Sequence, residues 1–128
     1  MAARQHISSG SPYEPRIGIS RALSVGDRVL VSGTAPIWPD GSCDPDPAAQ
    51  ARRCFEIIVA ALREAGAEPA DVVRTRMFIT DAADGDAIGT AHAEAFGAAR
   101  PVSTMVVVSG FLVPRWKCEI EAEAVVSR

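Results

Sequence analysis

The stretch Lys117–Val126 constrains this chain most: Cys118, Ile120, Ala122 and Ala124 alternate there with Glu119, Glu121 and Glu123. Successive side chains of a strand point to opposite faces. The segment therefore reads as a strand with one apolar face and one face lined by carboxylates, and its register cannot slip without burying the glutamates. A sheet built on it needs cover on one side only.

Helical periodicity elsewhere supplies that cover. Phe55, Ile58, Val59 and Leu62 recur at i, i+3, i+4 and i+7, one stripe of a helix. Asp46-Pro47 offers a capping carboxylate followed by a proline at the first helical position, and Gly66 closes the helix after Ala65. Gln50, Arg52, Arg53, Glu56 and Arg63 fall on its wetter side. A second helix is expected over Asp84–Phe96, with Ile88, Ala91, Ala95 and His92 or Phe96 along its apolar side, weakened by Gly89 and stopped by Pro101.

The remaining strands are expected at Ile17–Ser20, Ala22–Val25, Arg28–Thr34, Val72–Thr80 and Ser103–Val108, with Gly26-Asp27 turning the second into the third. In Val72–Thr80, alternation puts Val73, Thr75, Met77 and Ile79 on one face and Val72, Arg74, Arg76 and Phe78 on the other. The order is β-β-β-α-β-α-β-β, an α/β (α+β) mixed sheet with two helices on one face. Residues 1–15 read as a flexible lead-in rich in Pro, Gly and Ser, and residues 16–128 as a single domain.

Composition removes several classes of function. A net charge of −3 gives no attraction to phosphate backbones or anionic lipid, so nucleic acid is an unfavoured partner. The N-terminal residues lack the apolar run of a secretory signal or membrane span, and a cytoplasmic location is expected. Cys43, Cys54 and Cys118 are odd in number without Cys-x-x-Cys spacing, so they read as free thiols rather than as a disulfide framework or zinc site. No glycine-rich nucleotide motif and no Gly-x-Ser-x-Gly elbow occurs, and neither cofactor nor metal is expected.

The segment Arg100–Glu121 is where a site is expected, because a proline-bounded strand and a glutamate-opened strand converge there. Glu121 and Glu123 read as partners of Arg74 and Arg76 across the sheet. Glu119 stands where its strand leaves the Pro114-Arg-Trp loop, and strand ends beside loops gather functional groups. His92 reads as a helix-packing residue and Cys118 as an inert buried thiol.

Three stretches then resemble one known family: Val25–Thr34 (VGDRVLVSGT), Gln50–Asp81 with its Ala61-Leu-Arg-Glu-Ala-Gly66 and Thr75-Arg-Met-Phe-Ile-Thr-Asp81 blocks, and Phe96-Gly, Arg100-Pro101 and Cys118-Glu-Ile-Glu-Ala122. They are similar to the Rid proteins, reactive imine and enamine deaminases also known as endoribonuclease L-PSP or translation inhibitor proteins. The resemblance implies a chorismate-mutase-like fold, a homotrimer and small-molecule clefts between subunits. It implies that Glu119 handles the attacking water. Two residues after the proline, where active members carry a carboxylate-gripping arginine, this chain has Ser103, which marks an arginine-lacking branch. Ser20 falls where some members have a tyrosine, and Thr90 where an amide-bearing helix residue often stands.

Ser103, Ser32, Ser20, Thr90, Met105 and Arg76 are accordingly the expected ligand contacts, with Arg74, Arg76, Arg100 and Arg115 as candidate replacement cations. The expected function is hydrolysis of imines or enamines with a non-standard substrate. Non-catalytic metabolite binding is the second reading, and ribonuclease-type activity the third.

Overall fold

The computed structural model describes residues 3–127. Its strands are β1 (Arg4–Ile7), β2 (Ala22–Val25), β3 (Arg28–Thr34), β4 (Val72–Ile79), β5 (Val102–Val107) and β6 (Cys118–Val125), and its helices α1 (Tyr13–Ile17), α2 (Pro47–Glu64) and α3 (Gly85–Phe96). The strands form one mixed sheet in the order β1-β2-β3-β6-β4-β5. Only β4 and β5 run parallel. The alternating segment is β6, placed centrally between β3 and β4. Its Cys118, Ile120, Ala122 and Ala124 are buried beneath the helices, as the pattern requires.

Helix α2 starts as its sequence dictates. The Asp46 side chain accepts a hydrogen bond from the Ala49 N–H at 3.1 Å, and Pro47 takes the first position, where no intrahelical donor is needed. Phe55, Ile58 and Leu62 are buried, and Ile88, Ala91 and Phe96 of α3 join them in one aliphatic core. Gln50 departs from its expected wet position: it is fully buried. Its Nε2 donates to the carbonyls of Asp44 (2.8 Å) and Arg115 (3.1 Å), and its Oε1 accepts from the Lys117 N–H at 2.7 Å. A buried amide must satisfy both ends, and here it does so by pinning the loop that delivers β6.

Two further expectations are corrected. The first strand is not Ile17–Ser20 but Arg4–Ile7, inside the supposed lead-in, where it pairs antiparallel with β2. Met1 and Ala2 of that lead-in lie outside the described residues. Ile17 instead ends the short helix α1, and Gly18 follows at φ 75°, a left-handed stop suited to glycine. The cause is Glu14, a buried carboxylate that accepts from the Ser8 hydroxyl at 2.7 Å and from the N–H and hydroxyl of Ser9. Burial pushes the Glu14 carboxyl up, but the serines and Arg21 outweigh it and hold it below its ordinary value.

The second correction concerns β4. Val72 is buried and Val73 is 42% exposed, because the register with β6 shifts between Val72 and Arg74 and exchanges their faces. From Arg74 onward the expected alternation holds. Thr75, Met77 and Ile79 face the helices, while Arg74, Arg76 and Phe78 lie on the uncovered face.

Candidate functional site

Glu119 projects from the first turn-out of β6 onto the uncovered face, opposite Phe78. Beside it β3 is irregular, since Val31 pairs with Ala122 and Thr34 with Ile120. The extra residue falls at Ser32-Gly33. A Cβ added to Gly33 would sit 3.2 Å from Glu119 Oε1, so the glycine lets the carboxylate approach the backbone of β3.

Arg21 holds this bulge in place. One terminal nitrogen of its guanidinium donates to the carbonyls of both Ser32 and Gly33, each at 2.8 Å. Its Nε is buried and has no hydrogen-bond partner, alone in this among the buried side-chain nitrogens and oxygens of the described residues. Arg21 lies electrostatically between Glu14 and Glu119. Burial pushes the Glu119 carboxyl above its ordinary value, the Arg21 charge pulls it back, and Glu121 adds to the rise. The net effect is a half-buried carboxyl more basic than a free one.

The expected serines on this side are present, but partly engaged. Ser32 Oγ donates to the Ser20 carbonyl at 2.7 Å, and Ser20 Oγ lies 2.8 Å from His6 Nδ1. With Arg21, Gly33 and Glu119 they form one contiguous polar group. Arg21 carried no signal in the sequence, because its role depends on the β3 bulge and on Glu14, both visible only in three dimensions.

Ser103 lies elsewhere. It pairs in register with Thr75 of β4, and Thr75 faces the helices. Phe78, the partner of Glu119, is on the opposite face of the same strand. Within one chain, therefore, Ser103 and Glu119 are on opposite sides of the sheet. Met105 shares the helix side with Ser103, its Sδ near Gly85 at the start of α3. Thr90 is exposed on α3 and donates to the Asp86 carbonyl at 3.0 Å.

The contacts made by the arginines considered as replacements at Ser103 involve neither Ser103 nor Glu119. Arg76 contacts Glu121 at 2.9 Å and Glu123 at 3.6 Å, the expected cross-strand pairing. Arg74 and Arg76 line a hollow of about 230 Å³ on the uncovered face with Leu30, Glu121 and Glu123. Arg115 donates to the Gly41 carbonyl at 3.2 Å. Arg100 lies beyond the Gly97 cap of α3 in a left-handed conformation (φ 49°), its N–H donating to the Phe96 carbonyl. A larger cleft of about 700 Å³ runs between residues 7–12 and α2, with Arg21 and Arg53 on its wall. Neither hollow is lined by Glu119 or Ser103.

Among the described residues no three His, Cys, Asp or Glu side chains cluster to hold a metal ion. No described helix is long and apolar enough to cross a membrane. The three cysteines are free, Cys54 and Cys118 buried with their sulfurs 3.9 Å apart. Contact with Cys118 and burial push the Cys54 thiol far up, which makes it unreactive.

The chain has clear relatives. A family model described as Endoribonuclease L-PSP matches residues 11–126. The chain is 40% identical over 123 residues to the uncharacterized protein SCO2049 of Streptomyces coelicolor, covering 95% of this chain and 92% of that one. It is 33% identical over 110 residues to the 2-iminobutanoate/2-iminopropanoate deaminase of Escherichia coli, covering 82% and 84%. The crystal structure of Rv2704 from Mycobacterium tuberculosis, a member of the YjgF/YER057c/UK114 family, matches with a TM-score of 0.89 at 44% identity, covering 97% and 100%.

Proposed function

The chain belongs to the Rid (YjgF, endoribonuclease L-PSP) family and has its fold, and from that premise we propose that it hydrolyses small reactive imines or enamines in clefts between the copies of a homotrimer. The observation that carries this reading is Glu119, a half-buried carboxylate with raised proton affinity, held against the β3 bulge by Gly33 and Arg21. A carboxylate with raised proton affinity is a stronger base for abstraction of a water proton.

In the proposed reaction, Glu119 takes a proton from water as the oxygen bonds to the C=N carbon and returns that proton to the nitrogen. Glu119 then relays the proton of the carbinolamine hydroxyl to the amino nitrogen as the C–N bond breaks, so that ammonia and a carbonyl compound are released and the carboxylate is regenerated. Ser32 and Ser20 stand on the Glu119 side of the cleft, and Ser103, Met105 and Thr90 on the other. Arg76, already shared between two glutamates, contributes charge balance at the cleft's edge.

The homotrimer is supported by the disposition of the two halves. Ser103 and Glu119 cannot meet within one chain, so a cleft using both draws them from two copies. Strand β5 lies at the sheet edge, with Val102, Val106 and Val107 exposed at 61%, 42% and 56%. Such a strand normally finds cover. Light scattering should give three times the 13.5 kDa chain mass.

The test of the chemistry is ammonia release from enzymatically generated imines, acidic and neutral. A panel with no accelerated member removes the hydrolase reading. Ser103 in the arginine position favours a second reading, a metabolite-binding trimer without turnover, which calorimetry showing saturable binding and no reaction would select. Ribonuclease-type activity ranks third, because Arg76 is paired with Glu121 and Glu123 and the net charge of −3 gives no attraction to a phosphate backbone.

A further inference from the structure

Ser103 is not an isolated surface hydroxyl. Its Oγ lies 2.8 Å from Thr75 Oγ1, which lies 2.7 Å from His92 Nε2. The three residues come from β5, β4 and α3 and form a single hydrogen-bonded row. Thr75 in the middle is fully buried. His92 is held edge-on by Phe55 and Phe96, with ring centroids 5.8 and 5.5 Å away. Ser103 at the outer end is exposed.

Proton bookkeeping gives this row its character. Burial lowers the His92 pKa, so the imidazole is neutral at physiological pH, and its Nε2 bears either a proton or a lone pair. If Nε2 donates to Thr75, Thr75 donates to Ser103, and the Ser103 proton is free to point outward. If Nε2 accepts from Thr75, Ser103 donates inward, and its lone pairs face outward. The exposed end can thus donate or accept, and it is neutral in both states.

We propose that the His92–Thr75–Ser103 row is the specificity-determining pole of the cleft, a neutral and reversible hydrogen-bonding group that receives an uncharged polar substituent of the substrate, such as a carboxamide, ester or hydroxyl, in place of a carboxylate. The proposal rests on the imine-cleft reading above and names its substrate class. Thr75 and His92 act through Ser103 and are positioning residues. A carboxylate at Ser103 would meet one neutral donor instead of the two charge-assisted bonds of a guanidinium fork. The side chains that hold the row, Phe55 and Phe96, bring no compensating charge.

Binding and turnover are measured separately on the full chain. The binding probes are pyruvamide and pyruvate, neutral and anionic ketones of the same size, followed by calorimetry and by ¹⁵N NMR of the His92 ring. The turnover probes are the corresponding imines. The wild type is expected to favour pyruvamide over pyruvate by about tenfold or more and to shift the His92 ring nitrogens on binding it, as loss or gain of a hydrogen bond at a built site does. Thr75→Val should remove that preference, Thr75→Ser should restore it, and Ser103→Ala, at an exposed position, should reproduce the loss without risk to folding. Ser103→Arg should invert the preference.

A wild type that prefers pyruvate, binds neither ketone, or keeps its ratio unchanged in both Thr75→Val and Ser103→Ala overturns the proposal. Selective pyruvamide binding without turnover of any imine supports the neutral pole and overturns hydrolysis alone.

Discussion

The Glu119 and Ser103 regions of this protein solve opposite problems with polar groups. Around Glu119 a charge is kept partly dry: a carboxylate, a guanidinium with an unused Nε and two committed backbone carbonyls share a small volume. Around Ser103 the polar atoms are neutral, and the buried Thr75 hydroxyl is matched to both His92 Nε2 and Ser103 Oγ. The first arrangement stores unfavourable solvation that chemistry can use. The second is neutral. On the proposed function, Glu119 is the reactive pole and Ser103 the uncharged recognition pole.

Substitutions at the first region should separate it from the second. Glu119→Gln should lower turnover by about 100-fold or more, the scale of a lost general base, as read by ammonia release. The same change should stabilise the fold at neutral pH. Because the folded-state pKa of Glu119 is raised from its ordinary 4.5, the native state holds the proton longer than the unfolded one. The stability the acid form contributes is present below pH 4.5 and is lost as pH rises through the folded value. Denaturation curves of wild type and Glu119→Gln should therefore diverge as pH rises from acid to neutral; parallel curves would mean that Glu119 is fully solvated.

Arg21→Met removes the guanidinium bonds to the Ser32 and Gly33 carbonyls; Ser32 keeps its bond from the Thr34 hydroxyl at 2.8 Å, and the loss should cost about 1–3 kcal/mol in urea unfolding. It should also move the acid limb of the pH–rate profile upward, since the charge that lowers the Glu119 pKa is gone. An unmoved limb would detach Arg21 from the reactive pole. Gly33→Ala brings a methyl to 3.2 Å from Glu119 Oε1, and the displaced carboxylate should lose about tenfold in rate with little change in stability. Arg76→Gln is the mildest. Its ion pairs with Glu121 and Glu123 are partly exposed and should contribute less than about 1 kcal/mol, diminishing further in high salt. A larger effect on ligand affinity than on stability would move Arg76 into the recognition pole.

Much of the fold was legible. Strict alternation in β6, the Asp46-Pro47 start of α2 and the apolar stripe of both long helices are local patterns, and local patterns survive in three dimensions when every level of the chain agrees with them. The failures share a cause. Arg4–Ile7 looked like a tail because a short polar edge strand carries no periodic signal, and it exists through pairing with β2. Gln50 looked solvated because its helix position is polar by pattern, yet it is buried with hydrogen bonds to Asp44 in the loop before the helix and to Arg115 and Lys117 in the loop before β6.

By itself, then, the sequence determined a half-covered sheet, the covering helices, the family and the identity of Glu119 and Ser103 as the residues to watch, since periodicity and motif spacing are properties of neighbours along the chain. Tertiary structure alone decided which face each residue occupies, that Arg21 is the cation acting on Glu119, and that Ser103 is wired to His92 through Thr75. The reason is physical: hydrogen bonds, desolvation and charge coupling fall off over a few ångströms in space, and residues 17 and 28 positions apart become adjacent only when β4, β5 and α3 pack.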